Sequence, residues 1–328
     1  MLIQLWGFGM RAIVIIALTS ALIAAAPISA SAACTEDLAI LEKAVGSSSW
    51  QEAEKLARDL DDSITCEPWE KTKASGLLSR RFVAEARKSD PDLNDASKIG
   101  SLVEKAAKLH ADWRALELQG RLLRSAGHFR EAAESFQDAI NLIADWDSAK
   151  SDAPSGAWGN EASSAERSGL VTEADEAKHL AAAGPQGTLV VASTDRAGNP
   201  GGVFSAAVDR GAVGVHVPAP ILFEFNSAQL TRIGVDAAQE MASFLKDRAA
   251  RTIRVTGHTD HVGGDAYNID LSNRRAATVA SFLRQNGITA KISTIGKGFS
   301  EPRTLSAGSA YTQAQIDELN RRVEFDWN

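Results

Sequence analysis

The sequence predicts an all-α region followed by an α+β sandwich, and three observations carry that reading. From about residue 35 to 183 the chain is rich in Ala, Leu, Glu and Lys and poor in β-branched residues, a composition that favours helix. Within this region a short motif recurs: "WQEA" ending at Ala53, "LNDA" at Ala96, "FREA" at Ala132 and "VTEA" at Ala174, with gaps of 43, 36 and 42 residues. After residue 219, short β-prone runs alternate with amphipathic helical segments, the pattern of helices packed on a sheet. A length of 328 residues suits two domains at roughly 150 residues each.

The N-terminus is expected to be removed. In "MRAIVIIALTSALIAAAPISASAAC", Arg11 flanks an apolar run from Ala12 to Ala26, and Ala30-Ser31-Ala32 is an A-x-A site. This is the anatomy of a secretory signal peptide, assigned to residues 1–32. The rival, an uncleaved anchor, needs about 20 apolar residues to span. The two cysteines, Cys34 and Cys66, fall in the expected mature chain. Export makes a disulfide the natural expectation. The alternative, a lipidated Cys34, lacks the aliphatic residue expected three positions before it, where Ser31 stands.

Residues 33–183 are assigned to the helical domain. Its clearest repeat is "WRALELQGRLLRSAGHFREAAESFQDAINL". Gly120 and Ala132 allow close helix approach, Gly127 serves a turn, and Phe129 and Phe136 fill the groove between helices. This stretch resembles a tetratricopeptide repeat. The resemblance implies a short solenoid whose face binds a peptide or another protein. A plain helical bundle is the alternative. Residues 184–218, with "GTLVVAST", "DRAGNPGG" and "GVFSAAVD", read as a hairpin-like connector.

Residues 219–328 form the last domain. "ILFEF" reads as a strand, "GVDAAQEMASFLKDRA" as a helix, "RTIRVTG" as a strand and "YNIDLSNRRAATVASFLRQNG" as a helix. Leu271, Val279, Phe282 and Leu283 lie at helical spacing on that second helix, with Asn268 as N-cap and Gly287 as stop. "AKISTIGKG" and "RRVEFDW" read as the last strands. The stretch "GHTDHVGGDAYNIDLSNRRA" raises the question of chemistry. His258, Asp260 and His261 could suggest a metal, but three ligands within four residues do not easily converge, and no H-E-x-x-H or C-x-x-C occurs. Asp260 could instead cap a turn, and Arg275 could pair with Asp260 or Asp270. No nucleophile motif such as G-x-S-x-G is present.

The ordered set "ILFEFNSAQL", "VTGHTD", "NIDLSNRRAATVASFL", "GITAKISTIGKG", "EP" and "NRRVEF" resembles the OmpA C-terminal-like family over about residues 219–327. One departure is that Ile316 and Asp317 stand where the family commonly has a Gly-Arg pair. The resemblance implies non-covalent peptidoglycan binding through the diaminopimelate of the stem peptide. A zwitterionic end needs an acceptor for its ammonium and a planar double donor for its carboxylate. Carried over residue by residue, those are Asp260 and Arg275. Asn226 then lines the pocket, and Phe225, Asn268 and Leu271 shape it. Arg321 and Arg322 read as structural.

A formal charge of −7 without a long basic block argues against nucleic acid as a partner. The expectation is a non-enzymatic periplasmic protein without metal or cofactor, with outer-membrane association left open. The helical repeats are expected to engage an envelope protein. In the alternative, that scaffold is the main function and the last domain only an anchor to the wall.

Overall fold

A computed structural model describes residues 30–47, 50–149, 161–185, 187, 217–306 and 310–328. The first part is a run of helices: α1 (Ala30–Gly46), α2 (Trp50–Asp62), α3 (Pro68–Ser89), α4 (Ala96–Lys108), α5 (Trp113–Ser125), α6 (Phe129–Ala149) and α7 (Ser164–Ala183). Successive helices pack as hairpins, α1 on α2, α3 on α4 and α5 on α6, and α7 closes against α6. Polar caps start several of them. Asp95 accepts from the Ser97 amide, Asp112 from the Arg114 amide, and Ser163 forms a capping box with Glu166. Three motif copies open the second helix of a hairpin: Trp50 opens α2, Ala96 opens α4 and Phe129 opens α6. The fourth, "VTEA", does not open a helix; it lies inside α7.

The hairpins rest on large-into-small packing. A Cβ at Gly120 would come within 2.7 Å of the Phe136 ring. Only glycine therefore lets α5 approach α6 this closely. Phe136, Ala132 and Ala139 are buried in that seam with Trp113 and Leu170. Gly127 takes a φ of +80° in the turn between the two helices. Cys34 and Cys66 form a disulfide. It closes a separation of 32 residues around the first hairpin, a constraint of roughly 3 to 4 kcal/mol in the chain-entropy account. Helix α1 runs back to Ala30, through the expected cleavage point after Ala32. Residues 1–29 and nearly all of the expected connector lie outside the described residues.

The last part is the expected α+β sandwich. Its elements are β1 (Val217–Ala219), α8 (Arg232–Asp247), β2 (Thr252–Gly257), α9 (Asp265–Gln285), β3 (Lys291–Gly296), α10 (Gln313–Asn320) and β4 (Val323–Trp327). The sheet order is β1-β4-β2-β3. Strand β4 runs antiparallel to both β1 and β2, and β2 and β3 are parallel. The core lies between sheet and helices: Ile253 and Val255 of β2, Val323 and Phe325 of β4, Met241 and Leu245 of α8, Val279 and Leu283 of α9.

Two expectations need correction. The first strand is Val217–Ala219 rather than "ILFEF". Residues 221–225 form no strand of the sheet; they make the bridge Phe223–Leu230 and short backbone bonds to 229–231, because the chain turns back at Asn226, whose φ is +54°. Asn268 is not the N-cap, since α9 begins at Asp265 behind Gly264. The stretch before Arg321 is a helix, α10, started by a Thr312–Gln315 capping box.

Candidate functional site

The site forms where β2 hands over to α9. Gly257 ends β2 against α9 so closely that a Cβ there would lie 2.3 Å from the Ser272 carbonyl oxygen. The following residues are pinned from two sides. The His258 amide donates to the Arg322 carbonyl at 2.9 Å, and the Thr259 amide to the Gly298 carbonyl at 2.9 Å. Asp260 is thus presented at a fixed place. Its Oδ1 accepts from the Val262 amide at 2.9 Å, closing a side-chain turn. Its Oδ2 accepts from Arg321 Nη1 at 2.5 Å. Arg321 in turn pairs with Glu318 of α10.

Helix α9 carries one buried stripe that changes character along its length. Asn268, Leu271, Ser272 and Arg275 are buried at its start, and Ala276, Val279, Ala280 and Leu283 follow. The polar end faces the site and the apolar end the core. Asn268 Nδ2 donates to the Val262 carbonyl at 3.2 Å, bracing the turn that holds Asp260. Arg275 is only 4% exposed. Its Nε donates to the Ser227 carbonyl at 2.9 Å, and its guanidinium carbon lies 4.9 Å above the Phe223 ring. Among the described residues its terminal nitrogens make no hydrogen bond and no ion pair. Burial lowers its pKa to about 10, with the Arg321 charge acting the same way and the Asp260 carboxylate opposing both. It remains a cation at neutral pH.

Helix α9 carries Asn268, Leu271 and Arg275 on one buried stripe, and Asn268 braces the turn that holds Asp260. Asp260 and Arg275 form no direct ion pair among the described residues, and Asp270 pairs with Arg274 instead. Asn226 joins the site through the Tyr267 hydroxyl, which donates to its Oδ1. Phe225 forms no wall here, because its side chain is 99% exposed. Val262 and Tyr267 are also exposed apolar side chains beside the site. Sequence reasoning missed Tyr267, the Ser227 carbonyl and the Arg321–Glu318 pair. Arg322 bonds to Glu324 at 2.7 Å, as a structural residue would. His258 faces Glu324 at 3.3 Å and His261 faces Asp317 at 3.0 Å, so the two rings address different carboxylates.

Residues 222–314 match the model of the OmpA family. Outer membrane protein A of Escherichia fergusonii is 42% identical over 113 residues, covering 32% of this chain and 46% of that protein. Outer membrane porin F of Pseudomonas fluorescens is 33% identical over 111 residues, covering 34% of this chain and 32% of that one. The chain therefore spans less than half the length of the curated relatives it matches. Among solved structures, the peptidoglycan-associated lipoprotein from Burkholderia pseudomallei is 26% identical over 34% of this chain and 91% of that one, at a TM-score of 0.29.

Proposed function

We propose that residues 219–328 bind peptidoglycan non-covalently through the diaminopimelate of its stem peptide, with Arg275 gripping the carboxylate and Asp260 accepting the ammonium. The carrying observation is Arg275: a buried cation, oriented by Ser227 and Phe223, whose terminal nitrogens have no partner among the described residues. Burying a charge is costly unless it is paired, and a ligand carboxylate supplies that pair in the two-pronged geometry a guanidinium offers. Asp260 is held close by on a separate element, keeping acceptor capacity after its bonds to Val262 and Arg321. The exposed Phe225, Val262 and Tyr267 offer an apolar rim to the rest of the glycopeptide. In this reading residues 1–32 are removed on export, 33–183 form the helical domain, 184–218 connect, and the mature protein works in the periplasm. No helix among the described residues is long and apolar enough to cross a membrane.

Sedimentation with diaminopimelate-type sacculi tests the clamp. Asp260→Ala and Arg275→Ala should each weaken binding by about 2 to 3 kcal/mol, roughly 30- to 150-fold. Arg275→Lys should fail nearly as badly, since an ammonium cannot make the paired planar contact. Wild-type co-sedimentation of both folded alanine variants refutes the assignment.

A second reading, of the helical domain as a protein-docking module, is favoured by a groove of about 690 Å³ between α3 and α5. Arg80, Arg87, Lys88, Arg114 and Arg121 line it, against Asp112, Glu117 and Glu166. The excess of cations suits an acidic segment of an envelope protein. Reversing Arg87 and Lys88 to Glu in the full chain should abolish co-purification of such a partner; unchanged co-purification excludes the groove.

A further inference from the structure

Helix α7 belongs by sequence to the helical half, yet its last turns touch both sides of the clamp. Ala182 is buried with Leu222 and Ile233. Those two residues bracket the segment that places Phe223 under the Arg275 guanidinium and turns the Ser227 carbonyl toward its Nε. Two residues earlier, Leu180 is buried with Tyr311 and Leu319, against α10. His179, 1% exposed, places Nε2 3.5 Å from Glu318 Oε1. Glu318 holds Arg321, and Arg321 holds Asp260 Oδ2 at 2.5 Å. A continuous line of contacts thus runs from His179 through Glu318 and Arg321 to the proposed ammonium acceptor. The segment entering α10 is fastened to the same helix. Arg303 bonds to Asp175 at 2.5 Å, and Glu176 accepts from the Ser306 amide at 2.9 Å and the Tyr311 hydroxyl at 2.8 Å.

We propose that the helical half is a working part of the binding site, with His179 as a positioning residue that sets Asp260 through Glu318 and Arg321. The proposal rests on the clamp reading given above. Its physical content is orientation. Arg321 has two carboxylates to serve, and the place it takes between them is decided by where Glu318 is held. Glu318 sits on a short helix, and α7 packs against that helix with both a polar and an apolar side chain. Without that support Glu318 is free to swing outward, Arg321 follows it, and Asp260 loses the donor that fixes its outer oxygen. A positioning contact of this kind is felt as weaker ligand binding, because the acceptor must then be ordered by the ligand itself.

Calorimetry on the full chain with the tripeptide L-Ala-D-Glu-diaminopimelate as probe tests it, with circular dichroism on each variant. His179→Leu should weaken binding about five- to tenfold. His179→Gln, which keeps a donor near Glu318, should return it to within about twofold of wild type. In an Arg321→Met background, His179→Leu should add no further loss, a non-additivity that a purely structural residue would not show. Should His179→Leu not fold, Glu318→Gln decides: it should show the same loss, and wild-type binding by it overturns the proposal. Wild-type affinity of folded His179→Leu beside a crippled Asp260→Ala overturns the proposal and leaves the clamp standing. Equal losses from His179→Leu and His179→Gln that add to the Arg321→Met loss also overturn it. Wild-type affinity of Asp260→Ala removes the clamp and this proposal together.

Discussion

Two clusters of buried charge are built differently. Along α7 each buried arginine meets a carboxylate, although Glu173 Oε2, Arg124 Nε and Arg303 Nη1 have no hydrogen-bond partner among the described residues. Glu173 accepts from Arg121 at 2.9 Å and Arg124 at 3.3 Å, Asp175 accepts from Arg303, and Glu176 accepts from Ser306 and Tyr311. At the candidate site, Arg275 is nearly as buried but keeps its terminal nitrogens without a partner among the described residues, and Asp260 is tied to Arg321 rather than to it. Burial with a partner within the protein serves cohesion. A buried cation that meets no carboxylate is what a ligand site requires, since it gains most when a carboxylate arrives.

The sharpest way to break this contrast is at Glu176, which is 0% exposed. Glu176→Ala leaves the Tyr311 hydroxyl, the Ser306 amide and part of the Arg303 charge unmet, and should cost about 3 kcal/mol of stability in urea unfolding. A change under about 1 kcal/mol would show that solvent already serves these groups and that the seam is not a lock. The opposite substitution sharpens it. Arg275→Met removes a buried cation with spare donors and fills the same volume, so unfolding should move by less than about 1 kcal/mol, or toward greater stability, while sacculus binding is lost. A collapse of stability on Arg275→Met would place Arg275 with the structural charges after all.

The mildest perturbation is acid. Burial pushes the Glu318 carboxyl upward, but the His179 ring 3.5 Å away and the Arg321 pair outweigh it and hold the group at about 2. Glu324 is likewise held at about 2, with His258 and Arg322 outweighing burial. Both lie below the ordinary 4.5. Folded-state pKa values lowered in this way contribute stability that is complete above about pH 4.5 and lost as pH falls toward 2. Thermal melts should therefore hold level from pH 7 to 5 and fall steadily below 4, and Glu318→Gln should flatten part of that fall. An equally steep fall in the Glu318→Gln variant would show that other carboxylates dominate.

Much of this was legible in advance where the signal was local. Hairpin spacing showed in the recurring alanines, and the Gly120–Phe136 fit followed from one glycine facing one aromatic. The sandwich order showed in alternating periodicity, and the Asp260 turn in a carboxylate just after a strand. What stayed hidden depended on distance or on turn geometry. Nothing near Arg275 in sequence names the Ser227 carbonyl, 48 positions away. "ILFEF" has the composition of a strand, but the left-handed turn at Asn226 folds the chain back before a ladder can form. Helix α10 carries a readable signal, Thr312 with Gln315 three residues on, but the apolar pattern after it is short. Ile316, at the position departing from the family's usual pair, packs against the buried Leu180–Tyr311–Leu319 group. The departure therefore coincides with the face that α7 covers.

The packing of α7 against both α10 and the 222–233 segment has a mechanical consequence. For a protein held by the wall at one end and by a partner at the other, tension enters through the two halves. It passes first across side chains: the Glu176 hydrogen bonds, the Arg303–Asp175 pair and the apolar contacts of Leu180 and Ala182. Because the seam also holds the two walls of the proposed clamp, a pull strong enough to part the halves would slacken the proposed grip at the same moment, making the joint a fuse rather than a cable.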